Sequence, residues 1–349
     1  MILSISSSDP SKTKLDALVI VTHAFEKNRA PWQRLGTRLA HLCEQVDPRH
    51  EFTGKENSVF IAPTFKQIAA PIVTLAGVGN SKEAGVQRQC LARAFRQLFK
   101  RKVAQVGVVF AGPALPSELV AQAAEEGGYA FDNFLANPRK QIGFSRVVLF
   151  SKAAPASIAR AGVIPAALSY ARDLANQPPN IFTPSSFASE AQKLARARRM
   201  RCEVWDHARL KREGFGGILA VGQGSSNPPR FIRIDYRGGS TKDAPYVIVG
   251  KAITFDTGGI SIKPSDKMDE MKFDKCGGIA VLGIMNAVSA LKLPINVTGL
   301  ITSAENMPGS NAYRPGDLVK TLSGKYIEVL NTDAEGRIVP PSRPAVFFT

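Results

Sequence analysis

No two of the four cysteines, Cys43, Cys90, Cys202 and Cys276, form a CxxC pair. That excludes a zinc ribbon and argues against a disulfide framework. No stretch approaches the roughly 18 consecutive apolar residues of a transmembrane helix. The N-terminus, MILSISSSDPSKTK, lacks the basic start and unbroken apolar core of a secretory signal. There is no internal repeat and no low-complexity tract. These absences lead us to expect a chain without a membrane partner, working in a reducing cytoplasm.

Acidic residues are also few, 29 against 45 basic ones, for a net charge of +16 over 349 residues. Such a balance raises the question of a nucleic-acid partner. The basic residues are spread, however, with modest clusters only at residues 88–102 and 193–201. Arg88, Arg93, Arg96 and Lys100 are spaced as the wet face of an amphipathic helix, with Leu91, Ala94, Phe95 and Leu98 opposite, and no DNA- or RNA-binding signature accompanies them. Hydrophobic residues at 44% and charged residues at 21% are ordinary for a globular protein. The length suits two domains of roughly 150 residues.

In the first of these, residues 1–160, buried-strand runs at Ala17–Val21, Ile72–Gly77, Val106–Phe110 and Val147–Phe150 alternate with helical patterns at 30–45, 84–100 and 115–136. This alternation predicts a small α/β domain, a mostly parallel sheet with helices on both faces. Gly77-Val78-Gly79 lacks the third glycine of a dinucleotide fingerprint, with Lys82 in its place, and reads as a tight turn. A linker helix near Ala161–Leu174 runs into Asn176-Gln177-Pro178-Pro179-Asn180, so residues 161–182 are the expected boundary. Thr183-Pro184 then opens a helix running to about Met200. Residues 183–349 are expected to form a mixed-sheet α/β catalytic domain, with strands at Cys202–Trp205, Phe231–Tyr236, Tyr246–Val249, Ile295–Leu300 and Tyr326–Leu330 and a helix at Gly278–Leu291.

Two stretches carry the chemistry. In VIVGKAITFDTGGISIKPSDKMDEMKFD, a strand is expected to end at Gly250, followed by Lys251, Asp256, Lys263 and Asp274. In open α/β folds, ligands bind at the carboxyl ends of strands. In NTDAEGR, an extended backbone would aim Asp333 and Glu335 the same way. The four histidines, His23, His41, His50 and His207, lie outside both stretches, so a metal site here must be built from carboxylates. Oxygen ligands suit Mn²⁺ or Mg²⁺, and Zn²⁺ also accepts them. A lysine ligates only as its neutral amine, which for Lys251 requires a strongly lowered pKa. Taken singly, Asp256 and Asp274 read as turn or cap residues, Lys263 as solvated, and Glu335 as a helix-terminus charge.

Taken together, NTDAEGR (Asn331–Arg337) resembles the signature of the leucyl aminopeptidase (cytosol aminopeptidase) family. VGKAITFDTGGISIKP is similar to that family's other core motif, ARDLANQPPN followed by TP to its domain junction, and GFGGILAVGQGS to its next block. The resemblance is strong over residues 165–339 and weaker before. It implies a two-metal hydrolase that removes N-terminal residues from peptides, using two divalent cations (Mn²⁺ or Zn²⁺) and a bicarbonate. It further implies that Asp256 and Glu335 bridge the metals. Lys251 and Asp274 would complete one metal site and Asp333 the other. Lys263 would polarise the scissile carbonyl, Arg337 would hold the bicarbonate, and Met271 would line the pocket for the substrate's first side chain.

The resemblance stops at Val339. There the family continues with a helix, whereas this chain reads PPSRPAVFFT, and Pro340, Pro341 and Pro344 cannot continue one. A catalytic domain incomplete at its C-terminus is therefore the expectation, with a homo-hexamer implied only for the full family fold. The alternatives are a truncated inactive relative, or a basic nucleic-acid-binding protein on the same scaffold. Cys276 reads as a buried thiol.

Overall fold

Alternating apolar runs and amphipathic stretches build two units, Met1–Ser169 and Tyr170–Thr349. They are seen in a computed structural model that describes residues 1–26, 31–138, 143–151, 158 and 160–340. The proline-rich tail expected at 341–349 lies outside the described residues.

In the first unit, six strands form one sheet: β1 (Ile2–Ser6), β2 (Ala17–Thr22), β3 (Val59–Pro63), β4 (Ile72–Gly77), β5 (Gln105–Phe110) and β6 (Arg146–Phe150). Their order is β1-β6-β5-β2-β4-β3, parallel except for β3, which runs antiparallel to β4. Every residue of β2 is buried, as expected of a central strand covered on both faces. Its Val19 and Val21 pack with Leu91, Phe95 and Leu98 of the helix Ala84–Lys100. Leu18 and Ile20 pack with Leu39 and Leu42 of the helix Thr37–Val46 on the other face.

The edge strands β1 and β3 were not legible as strands, because neither carries a continuous buried run. Two predicted helices are shorter than expected. Gly36, at φ 81°, separates a 3-10 turn, Pro31–Leu35, from the helix that starts at Thr37. Of the pattern at 115–136, only Ser117–Gly128 is helical, ending on the Gly127-Gly128 pair, which favours helix poorly.

In the second unit, β7 (Arg201–Trp205), β8 (Arg230–Arg237), β9 (Tyr246–Asp256) and β10 (Asn296–Asn306) lie in the order β7-β8-β10-β9. β10 is antiparallel to β8 and parallel to β9, so the sheet is mixed. A short ribbon, β11 (Leu318–Lys320) with β12 (Tyr326–Glu328), stands apart from it. The helix Pro184–Arg198 begins where Thr183 Oγ1 accepts the Ser186 N–H, with Pro184 in its first turn. It packs one face of the sheet together with the helix Cys276–Ala290. The short helices His207–Arg212 and Gly216–Gly222 pack the other.

Several expectations need correcting. β9 does not end at Gly250 but continues to Asp256, and β10 runs on to Asn306. Lys251 interrupts the apolar pattern yet stays in the strand, because its ammonium finds carboxylates. The last strand is only Tyr326–Glu328, not Tyr326–Leu330. NTDAEGR is not extended: Thr332–Arg337 form a 3-10 turn, with Asp333 at φ −86°, ψ 16°. Cys276 is exposed rather than buried, since it opens a helix whose inward face is Ile279, Leu282 and Met285. All four cysteines are free thiols. Among the described residues, no helix is long and apolar enough to cross a membrane.

The helix after Asp274 approaches β9 and β10 closely. A Cβ on Gly278 would lie 2.7 Å from Ala252 Cβ and 2.8 Å from Ile301 Cγ2. Gly278→Val should therefore cost about 1–3 kcal/mol by overpacking. Ala280→Val, on the exposed side of the same helix, should cost less than about 1 kcal/mol. Urea unfolding of the two variants is the check, and equal midpoints would contradict the close packing.

Candidate metal centre

The site forms where β9 and β10 end side by side. Register pairs Lys251 with Thr302 and Asp256 with Asn306. After Asp256 the chain turns through Gly258 (φ 86°) and Gly259 (φ 68°), a conformation that side chains disfavour. Within this turn the Gly258 N–H donates to Asp256 Oδ1 at 2.9 Å, and the Lys263 N–H to the Thr257 carbonyl at 2.9 Å. The turn thereby returns Lys263 towards the strand end. The 3-10 helix Met268–Phe273 leads to Asp274 at its C-terminal cap. From the other side, Asn331 Oδ1 accepts the Asp333 N–H at 2.8 Å and starts the 3-10 turn that presents Asp333 and Glu335.

Asp256, Asp333 and Glu335 each offer an oxygen within 4.8 Å of the others. Two lysines stand among them. Lys251 Nζ lies 2.5 Å from Glu335 Oε1 and 2.8 Å from Asp274 Oδ2. Lys263 Nζ lies 3.3 Å from Asp256 Oδ2 and pairs with Asp333 Oδ1. Burial alone would lower both lysine pKa values, but the hydrogen bonds and charges of these carboxylates outweigh it and leave both raised. Burial pushes the Asp274 carboxyl up to about 6, against the pull of Lys251.

Six of the expected site residues thus converge: Lys251, Asp256, Lys263, Asp274, Asp333 and Glu335. Asp333 and Glu335 meet the others through a tight turn, not through the extended backbone expected of them. Arg337 is exposed and lines a surface cavity of about 360 Å³ with Leu330, Asn331 and Ala334. Met271 is half-buried on the 3-10 helix, three residues before Asp274.

A hard cation fits this donor set. Glu335 is 2% exposed, and its Oε2 is buried with no hydrogen-bond partner, a costly state for a carboxylate oxygen unless something positive sits against it. Clustered carboxylate oxygens without histidine are ligands for Mn²⁺, Mg²⁺ or Zn²⁺.

Other residues matter here that the sequence reading left out. Thr332, fully buried, donates its hydroxyl to the Gly258 carbonyl at 2.6 Å and accepts the Ser261 N–H at 2.8 Å. Its own carbonyl accepts Tyr313 OH at 2.6 Å and Asn306 Nδ2 at 3.0 Å. Lys275, beside Asp274, is fully buried. Its ammonium donates to the carbonyls of Gln177 (3.1 Å) and Lys272 (2.5 Å) and lies over the Phe182 ring. A lysine directly after a candidate ligand, at the head of an apolar helix, was the available signal for it.

Comparison with known proteins gives a consistent picture. Residues 169–339 match the catalytic domain, and residues 18–138 the N-terminal domain, of the cytosol aminopeptidase family. A probable cytosol aminopeptidase of Cenarchaeum symbiosum (strain A) is 47% identical over 344 residues, covering 97% of this chain and 70% of that protein. One from Syntrophotalea carbinolica is 40% identical, covering 93% and 69%. Among solved structures, the bottromycin maturation enzyme BotP in complex with Mn superposes with a TM-score of 0.77 at 30% identity, over 93% of this chain and 67% of that one.

The raised Asp274 carboxyl has a consequence for stability. The folded chain holds this proton more tightly than the unfolded chain, whose value is near the ordinary 3.8. Between pH 4 and 6 the folded state therefore binds more protons, and this contribution to stability falls as pH rises. In chelator, the parent should lose stability relative to Asp274→Asn as pH rises from 4 to 7. Denaturant midpoints across that range test it, and parallel profiles would refute it.

Proposed function

Because the chain belongs to the cytosol aminopeptidase family, we propose that it removes N-terminal residues, leucine among them, from peptides by hydrolysis assisted by two divalent cations, Mn²⁺ or Zn²⁺. The observation that carries the reading is the unpaired, buried Oε2 of Glu335, a residue whose carboxylate clusters with those of Asp256 and Asp333. That a solved relative is described in complex with Mn supports the choice of ion. When bound, such a cation pair polarises a carbonyl and acidifies water.

The chain's own residues divide the remaining work. Asp256 and Glu335, the two most buried carboxylates of the cluster, would be shared by both cations. Lys251 and Asp274 would complete one site, and Asp333 the other. Lys251 would be a ligand only as its neutral amine, its proton passing to solvent, a change that neighbouring cations would favour. Lys263, at present paired with Asp256 and Asp333, is the cation left to face the scissile carbonyl oxygen and to steady negative charge developing there. Exposed Arg337 would hold a bicarbonate, which could serve as a general base, and Met271 would border the first side chain of the substrate.

A nucleic-acid role draws less support. In the strongest basic cluster, Arg88 is ion-paired with Glu126, and Arg96 donates to the Glu126 and Tyr129 carbonyls at 2.7 Å.

Hydrolysis of leucine amide with added Mn²⁺ tests the proposal. Turnover should require a free α-amine, so the N-acetylated substrate should be inert. Glu335→Ala should lower kcat/KM on the order of a hundredfold or more. Cleavage of the acetylated substrate, or full turnover by Glu335→Ala, would sink the reading.

A further inference from the structure

One buried amide outside the ligand set touches both halves of the centre. Asn306 ends β10 opposite Asp256, just past a register irregularity between Ala304 and Asn306. Its side chain is fully buried. The Nδ2 group donates to Asp256 Oδ1 at 2.8 Å and to the Thr332 carbonyl at 3.0 Å. Its Oδ1 is buried without a partner. Rotating the amide would aim that oxygen at two acceptors, so the orientation has no competitor. The backbone contributes as well: the Asn306 carbonyl accepts the Thr257 N–H at 2.9 Å and Thr257 Oγ1 at 2.8 Å. Asn306 is thus bonded to the turn that follows Asp256 and to the residue that precedes Asp333.

Asp256 Oδ1 already accepts the Gly258 N–H. With the Asn306 amide it holds two donors, which leaves Oδ2, 3.3 Å from the Lys263 ammonium, as the oxygen a cation would take. We propose that Asn306 is a positioning residue for the metal centre: it saturates Asp256 Oδ1, turns Oδ2 towards the ions, and sets the distance between Asp256 and the Asp333–Glu335 turn. The inference rests on the metal-centre reading above. Groups that orient ligating carboxylates typically change metal affinity by about 10–100-fold when removed.

The residue's neighbour supplies the control. Tyr313 donates to the same Thr332 carbonyl at 2.6 Å, and Tyr313→Phe removes that bond while leaving the Asn306–Asp256 bond in place. The experiment is calorimetric titration of the full chain with Mn²⁺, without substrate, beside thermal midpoints in chelator. Asn306→Leu keeps the branched shape and deletes both hydrogen bonds. It should weaken Mn²⁺ binding about 10–100-fold, whereas Tyr313→Phe should stay within about threefold of the parent even where its midpoint falls comparably. Asn306→Ala should behave as Asn306→Leu. A variant unfolded in chelator is titrated in the osmolyte concentration that restores its fold, beside the parent in the same buffer. Parental affinity in Asn306→Leu, or an equal loss in Tyr313→Phe, would overturn the assignment. A parent that binds no Mn²⁺ would instead overturn the metal centre itself.

Discussion

Carboxylates gathered into a hollow repel one another unless positive charge stands between them. Here two lysines do so, Lys251 between Glu335 and Asp274, and Lys263 between Asp256 and Asp333. Each ammonium serves two acids, so the cluster is interleaved in sign and not simply acidic. Cations entering this place would take over the neutralising role of the ammonium groups. The same interleaving of charge gives the cluster the donor set that a hard cation requires. The partner-free Glu335 Oε2 marks where that neutralisation is incomplete.

The backbone around the cluster is fixed by short polar links rather than by apolar packing. Thr332 joins the Gly258 turn, the Ser261 N–H, Tyr313 and Asn306. Gly259 leaves room for this arrangement, since a Cβ there would sit 2.7 Å from Asn306 Oδ1. Such links tie two segments distant in sequence while leaving the carboxylates free to ligate, which a hydrophobic contact would not do.

Much of this was legible in the sequence, for identifiable reasons. Continuous apolar runs announced β2, β4, β5 and β6, and Thr183-Pro184 announced its helix, because burial and capping each leave a local pattern. The ends of β9 and β10 were hidden because Lys251, Asp256 and Asn306 break the apolar pattern. Strand pairing and ion pairing override it, and neither is local. The convergence of Asp333 and Glu335 was anticipated on a mistaken backbone: their side chains meet the cluster through a 3-10 turn set by Asn331 and Thr332. Asn306 and Tyr313 carry no motif, and their roles emerge only from the neighbours the fold brings to them.

The separation of partners along the chain has a kinetic side. Lys251 and Glu335 are 84 positions apart, and β8 pairs with β10 across a comparably long loop, Arg237 facing Asn296. Closing such loops costs chain entropy before any contact repays it, which slows non-local sheets. During synthesis Lys251, Asp256 and Asp274 emerge well before Asp333 and Glu335, so for an interval the nascent chain carries only part of the cluster. A cluster drawn from such distant segments is complete only once the long-range pairing of the central strand β10 is in place.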